Sequence, residues 1–215
     1  PPFGPGAPPS GGVWAPPRGG GPGQNRAGFG AGGGAKFGGG GGGGLSAVMG
    51  ARLAGAYPII AVDVLEGKLD LARRLGASHA INAGKEDPVK AVRDLTGGGA
   101  PYTFDAVGNE QVLRQAYEAC RRGGMTVTIG LPPADRMFTV PAVHIVNEER
   151  TIKGSYMGSA VPRRDIPRFL ALYQAGLLPL DLLMTRTIAL AEINGAFDAL
   201  AKGEAVRQVL ALING

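Results

Sequence analysis

From Leu45 onward, short apolar runs and amphipathic stretches alternate with few residues between them. Residues 45–56 lack proline and set Leu45, Val48 and Leu53 among Ala47, Gly50, Ala51 and Ala54, the pattern of a closely packed helix. Ile59-Ile60-Ala61-Val62 is a continuous apolar run ending at Asp63, as a strand buried on both faces reads. Leu65, Leu69, Ala72 and Leu75 then recur at helical spacing up to Gly76. A short strand is predicted at His79-Ala80-Ile81. Asp87 before Pro88 has the form of an N-cap with proline at the first helical position, opening a helix that Gly97-Gly98-Gly99 stops. Tyr102 to Val107 reads as a strand. Asn109 caps a helix with Val112, Leu113, Ala116, Tyr117 and Cys120 on one stripe, and Met125 to Ile129 is a strand closed by Gly130. Such alternation predicts βαβ units, hence an α/β fold with a doubly wound parallel sheet.

After Gly130 the rhythm changes. Pro132-Pro133 breaks the chain, and Thr151 to Tyr156 reads as a further strand. Ile166, Phe169, Leu170 and Tyr173 line one helix face; Ile193, Ala196, Phe197 and Leu200 line another, ended by Gly203. Val206 to Leu212 is expected to be a closing strand.

Composition changes the picture at the N-terminus. Of 215 residues, 38 are glycine and 17 proline, and the excess sits before Leu45. That stretch has only Phe3, Val13, Trp14, Phe29 and Phe37 as large apolar side chains, too little burial to offset the entropy of ordering it. Residues 1–35 are therefore expected to be a disordered Gly/Pro-rich tail, 36–158 a Rossmann-type dinucleotide-binding domain, and 159–215 a C-terminal return segment. The central strand of such a sheet would fall at Ala35 to Gly38, where glycine weakens it. Residues 1–44 carry Arg18, Arg26 and Lys36 and no acid, so much of the net charge of +5 belongs to them, and the body is not a basic nucleic-acid binder. One cysteine, Cys120, excludes an internal disulfide and points to a reducing, cytoplasmic setting. No apolar run is long enough to span a bilayer, and the start does not read as a signal peptide.

A dinucleotide site needs glycines that let the backbone approach a pyrophosphate, a helix N-terminus aimed at it, and a carboxylate about 20 residues on for the ribose hydroxyls. Gly39, Gly41 and Gly44 match G-x-G-x-x-G, with Leu45 following. Seven consecutive glycines, Gly38 to Gly44, would however match any glycine spacing. The context is more telling: the run opens into a helix, the next element is an apolar strand, and Asp63 stands at that strand's end. Asp63 reads either as the ribose carboxylate or as a turn carboxylate capping the helix near Leu65.

Several segments together resemble one family. Gly-Leu-Ser-Ala-Val-Met-Gly-Ala (44–51), Ile-Ile-Ala-Val-Asp-Val (59–64), Lys68 with Leu-Gly-Ala (75–77), Phe-Asp-Ala-Val-Gly (104–108), Ile-Gly-Leu-Pro (129–132), Ile-Lys-Gly-Ser-Tyr-Met-Gly (152–158) and the stretch 193–210 are similar, in order, to zinc-type medium-chain alcohol dehydrogenases of the class-III-like and aryl-alcohol branches. The resemblance implies NAD as cofactor and a small alcohol or aldehyde as substrate of the intact enzyme. It implies that Asp63 binds the adenosine ribose and selects NAD over NADP, with Lys68 beside it. Val107, Gly108, Ile129, Gly130 and Leu131 would line the cofactor, Tyr156 and Met157 would approach the nicotinamide, and Arg207 would reach the pyrophosphate. It further implies a homodimer through the sheet's edge strand, near 139–145. The family's zinc ligands have no counterpart: Cys120 reads as core, and His79 and His144 cannot rebuild the set. No residue is therefore assigned a catalytic or metal-binding role, and the chain is expected to be inactive on its own. A zinc-independent NADPH-type reductase and a non-catalytic nucleotide-binding or interaction module are the alternatives.

Overall fold

The computed structural model describes residues 27–30 and 41–212. Six parallel strands form one sheet in the order β3-β2-β1-β4-β5-β6, the doubly wound arrangement in which the chain leaves the central strand first to one side and then to the other. The strands are β1 (Ala27–Gly30), β2 (Ile59–Asp63), β3 (His79–Asn82), β4 (Ala100–Asp105), β5 (Cys120–Thr128) and β6 (Thr151–Gly154). The helices between them are α1 (Gly41–Leu53), α2 (Glu66–Leu75), α3 (Pro88–Thr96), α4 (Glu110–Ala119) and α5 (Ala142–Asn147). The expected α/β class and parallel sheet are thus present. Among the described residues no helix is long and apolar enough to cross a membrane.

The pleat of β2 divides the core. Ile59 and Ala61 face α1 and α2 together with Leu45, Val48, Met49, Leu69 and Leu75; Ile60 faces α3 and α4 with Ile81, Val92 and Ala119. Covering both faces is what a parallel sheet requires, and it explains why β2 reads as an unbroken apolar run. Two helix starts follow the local chemistry. Asp87 accepts from the N–H groups of Val89 (2.8 Å) and Lys90 (3.1 Å), and Asn109 accepts from Gln111 (2.8 Å) and Val112 (3.2 Å).

The first strand and helix differ from the expectation. The central slot is filled by residues 27–30, inside the glycine- and proline-rich segment, which pair with β2 and β4 through the backbone. The strand expected at Ala35 to Gly38 lies outside the described residues, as do Gly39 and the tail reading for residues 1–26. Helix α1 begins at Gly41, so Gly41 and Gly44 belong to its first turn and not to a preceding loop. The Ser46 hydroxyl donates to the Gly42 carbonyl at 2.6 Å within that turn.

One edge of the sheet is β6, whose four residues are all exposed, and the other is β3. Residues 139–145, expected at an edge strand, are loop and the start of α5, because Pro141 directs the chain into a helix there. The join to β6 is braced by Arg150, whose guanidinium stacks 4.8 Å from the Tyr117 ring centroid and donates to the Tyr117 carbonyl.

The C-terminal segment holds α6 (Pro162–Gln174), β7 (Met184–Ile188), α7 (Ile193–Ala201) and β8 (Arg207–Leu210). Strand β8 does not close the main sheet. It pairs in parallel with β7, a strand the apolar pattern did not predict. Ile166, Phe169, Leu170 and Tyr173 do share one face of α6, but all four are exposed.

At the start of α6, the Asp165 carboxylate accepts from Val161 N at 2.8 Å and from Arg164 Nε at 2.7 Å. The Arg164 guanidinium, helped by the Val161 N–H, lowers its pKa to about 2. A carboxyl depressed in the folded state contributes stability that is present above its unfolded value of 3.8 and is lost as pH falls toward 2. Asp165→Ala should therefore lower the thermal midpoint at neutral pH, and the difference from wild type should vanish in acid between those values. Thermal melts recorded across that pH range would check this.

Candidate nucleotide site

In a doubly wound sheet, the crevice for a ligand opens at the carboxyl ends of the strands where the winding reverses, here between β1 and β4. Helix α1 starts at that end. Its first turn carries no acidic residue, so the positive end of its dipole is not neutralised from within. Arg207, at the start of β8, lies against this turn. A Cβ built on Gly42 would sit 3.1 Å from both Nε and Nη2 of the guanidinium. A cation beside a helix N-terminus repels it, and an anion between them relieves both charges at once.

Asp63 ends β2 and is 2 % exposed. Its Oδ1 accepts from Leu65 N at 3.0 Å, and its carbonyl accepts from Ala83 N at 3.0 Å. The turn-capping reading of Asp63 is thus present in the geometry, at the carboxyl end of β2. Lys68, one turn into α2, is buried. A Cβ built on Gly203 would meet Lys68 Nζ at 3.4 Å and Leu65 Cδ1 at 2.6 Å. Segment 203–207 therefore runs from α2 to the N-terminus of α1 and brings Lys68 and Arg207 to the same end of the sheet as Asp63.

The opposite wall is made by the turns after β4 and β5. Val107 and Gly108 follow β4; Ile129, Gly130 and Leu131 follow β5. The two turns touch through their backbones: a Cβ on Gly130 would lie 2.0 Å from Gly108 N, and one on Gly108, where φ is +76°, 2.8 Å from the Leu131 backbone. Only glycine permits that approach. Asp105, which composition and spacing did not single out, bonds to both turns. Its position two and three residues before Val107 and Gly108 is the register of an Asx turn, a signal present in the sequence.

Tyr156 and Met157 stand apart from these groups. Both are 76 % exposed in a 3-10 turn after β6, with Met157 and Ser159 in the left-handed region. Leu131 is likewise exposed at 79 %. They follow the carboxyl ends of β5 and β6 without packing into a wall.

The residues present do not fit a zinc ion. Among the described residues no group of three or more His, Cys, Asp or Glu side chains is placed to hold a metal. Cys120 is buried where α4 meets β5, and burial pushes its thiol pKa up, which keeps it protonated and unsuited to binding metal. His79 is in β3 beside Ser78 Oγ (3.0 Å), and His144 is in α5.

Comparison with known proteins gives this geometry a context. The model of the zinc-binding dehydrogenase family matches residues 42–175. Alcohol dehydrogenase 1 of Pisum sativum is 36 % identical over 170 residues, covering 78 % of this chain and 44 % of the relative. Alcohol dehydrogenase class-3 of Cereibacter sphaeroides is 38 % identical over 176 residues, covering 78 % and 46 %. Among solved structures, benzyl alcohol dehydrogenase from Acinetobacter calcoaceticus superposes with a TM-score of 0.80 at 31 % identity, covering 88 % of this chain and 50 % of that one. The chain thus spans about half the length of the relatives it matches. With the sheet order, the helix-terminal crevice and these matches in agreement, the chain belongs to the zinc-binding dehydrogenase family and represents its C-terminal, NAD-binding part.

Proposed function

We propose that the chain binds NAD across the crevice between β1 and β4 and forms the cofactor-holding half of an alcohol-oxidising dehydrogenase. The observation that carries this reading is the Arg207 guanidinium laid against Gly42 at the first turn of α1, a paired positive site suited to a pyrophosphate. Bound NAD+ supplies a hydride acceptor at its nicotinamide ring. The chain's own residues bind and orient it. Asp63 accepts from the ribose hydroxyls and repels a 2′-phosphate at short range, which disfavours the NADPH-type reductase. Lys68 lies beside Asp63, and Gly108 and Gly130 let the backbone approach the dinucleotide. Val107 and Ile129 line the same wall, with Leu131 at its exposed rim and Tyr156 and Met157 on the nicotinamide side.

Hydride transfer from an alcohol also needs a group that takes up the hydroxyl proton or polarises its oxygen. The described residues offer no zinc ligand set for that task. The proposed role of this chain is therefore binding and orientation, with alcohol activation supplied by sequence of the kind that fills the other half of its relatives. The exposed apolar faces of α6 and α7 fit such a partner. A non-catalytic nucleotide-binding module is the second reading, favoured by the same lack of metal ligands. We also propose a second copy pairing along the exposed edge of β6 and a cytoplasmic setting, the latter in keeping with the single buried thiol.

Three outcomes follow from this reading. Asp63→Ala should weaken NAD and narrow the gap between NAD and NADP, measured by calorimetric titration of both; a wild type that binds NADP as tightly as NAD would remove the role given to Asp63. Arg207→Ala should cost about 1.5–3 kcal/mol of dinucleotide affinity, roughly 10- to 150-fold in Kd. Finally, the purified chain should form no NADH from a panel of primary, secondary and aryl alcohols, with or without added zinc. Zinc-dependent turnover in that absorbance assay would overturn the division of labour proposed here.

A further inference from the structure

The two turns that form one wall of the crevice converge on a single side chain. Asp105, the last residue of β4, is 1 % exposed. Its Oδ1 accepts from Val107 N at 2.9 Å and Gly108 N at 3.3 Å, and its Oδ2 accepts from the Thr128 hydroxyl at 2.9 Å. Its main-chain carbonyl accepts from Ile129 N at 2.8 Å and Gly130 N at 3.1 Å. One residue therefore takes five donors, two from the turn after β4 and three from the end of β5 and the turn that follows it. We infer that Asp105 is the positioning residue of the nucleotide crevice, holding the Val107–Gly108 and Ile129–Gly130 turns in register so that their backbones can form its wall.

The physical case rests on what the turns lack without it. Gly108 is held at φ +76°, and the approach of Gly130 to Gly108 leaves no room for side chains to lock the turns together by packing. Directional bonds must set their spacing. The three donors to the carboxylate are neutral, so the group is fixed by geometry and not by an ion pair, and each bond lost frees a half-buried donor. The consequence extends to α4. Asn109, its N-cap, follows Gly108 directly, so the Asp105 clamp also sets where that helix begins. An amide could serve nearly as well as the carboxylate: its oxygen accepts from Val107 and Gly108, and its NH2 donates to the Thr128 hydroxyl.

The inference rests on the nucleotide-binding reading, and the test separates the two. Wild type, Asp105→Ala, Asp105→Asn and Thr128→Val would be compared by amide hydrogen exchange, by calorimetric titration with NAD, and by thermal melting, with Val92→Ala on α3 as a core-destabilised control. Asp105→Ala, which keeps the carbonyl that Ile129 and Gly130 donate to, should speed exchange at Val107 and Gly108 by about tenfold or more, leave the β2 amides unchanged, and weaken NAD by about tenfold. Asp105→Asn should restore both to within about threefold of wild type, and Thr128→Val should fall between. Val92→Ala should lower the melting temperature without changing NAD affinity. If Asp105→Ala does not fold, Thr128→Val against Asp105→Asn carries the comparison. A wild type that takes up no dinucleotide overturns the nucleotide reading and the positioning role with it. A wild type that binds, beside a folded Asp105→Ala with unchanged affinity or unchanged exchange at Val107 and Gly108, overturns this inference alone. So does an affinity loss that tracks melting temperature equally in Val92→Ala.

Discussion

The two halves of the main sheet meet at a single strand. β3 and β2 lie on one side of β1, and β4, β5 and β6 on the other, so every contact between the halves within the sheet passes through residues 27–30. Two of those four residues are glycines, each of which costs roughly 0.5–1 kcal/mol in ordering entropy relative to alanine. Backbone hydrogen bonds fill the slot, but they do not supply much net free energy. The layers above and below do more to hold the halves together. Leu45, Val48 and Met49 of α1 pack with Ile59, Ala61, Leu69 and Leu75, while Tyr102 and Phe104 of β4 reach the same cluster from the far side of β1. Helix α1 thus acts as a splint across the weakest strand, and it is the same helix whose N-terminus faces the crevice.

Much of this was readable in advance, and the parts that were not share a cause. Helices opened by Asp87 and Asn109 announce themselves because a capping side chain is a local interaction. Strands β2 and β4 announce themselves by apolar runs. β1 does not, since a strand defined by its neighbours' backbones leaves no hydrophobic pattern when half its residues are glycine. β7 was missed for a related reason: it is mostly exposed, so its residues show no buried face. The start of α1 was placed late because glycine is a poor helix former, and tertiary packing of Leu45 and Val48 overrode that preference.

The candidate site divides the same way. Asp63 stands out by its spacing after the glycines, and of the two readings that spacing allows, the structure shows the cap at Leu65. Arg207 could be reached only through the family resemblance, because its meeting with Gly42 joins residues 165 positions apart. Asp105 stands in plain register with Gly108, but its side chain bonds to the chain itself, and spacing rules for ligand-touching groups do not point to it. The C-terminal segment shows the limit of periodicity. The stripes on α6 and α7 are real, yet Ile166, Phe169, Leu170 and Phe197 remain exposed, and amphipathic spacing does not say what an apolar face is packed against.

The contact between Gly108 and Gly130 bears on how such a crevice can change over generations. With Cβ positions that would fall 2.0 to 2.8 Å from neighbouring backbone, neither site admits a small step, because alanine is already too large. Val107 and Leu131, one residue away, have no such restriction. Sequence drift around this wall should therefore be sharply uneven, with two immovable points set among freely varying neighbours. Any change in what the crevice accepts would have to come from the opposite side, around the buried side chains of Asp63 and Lys68.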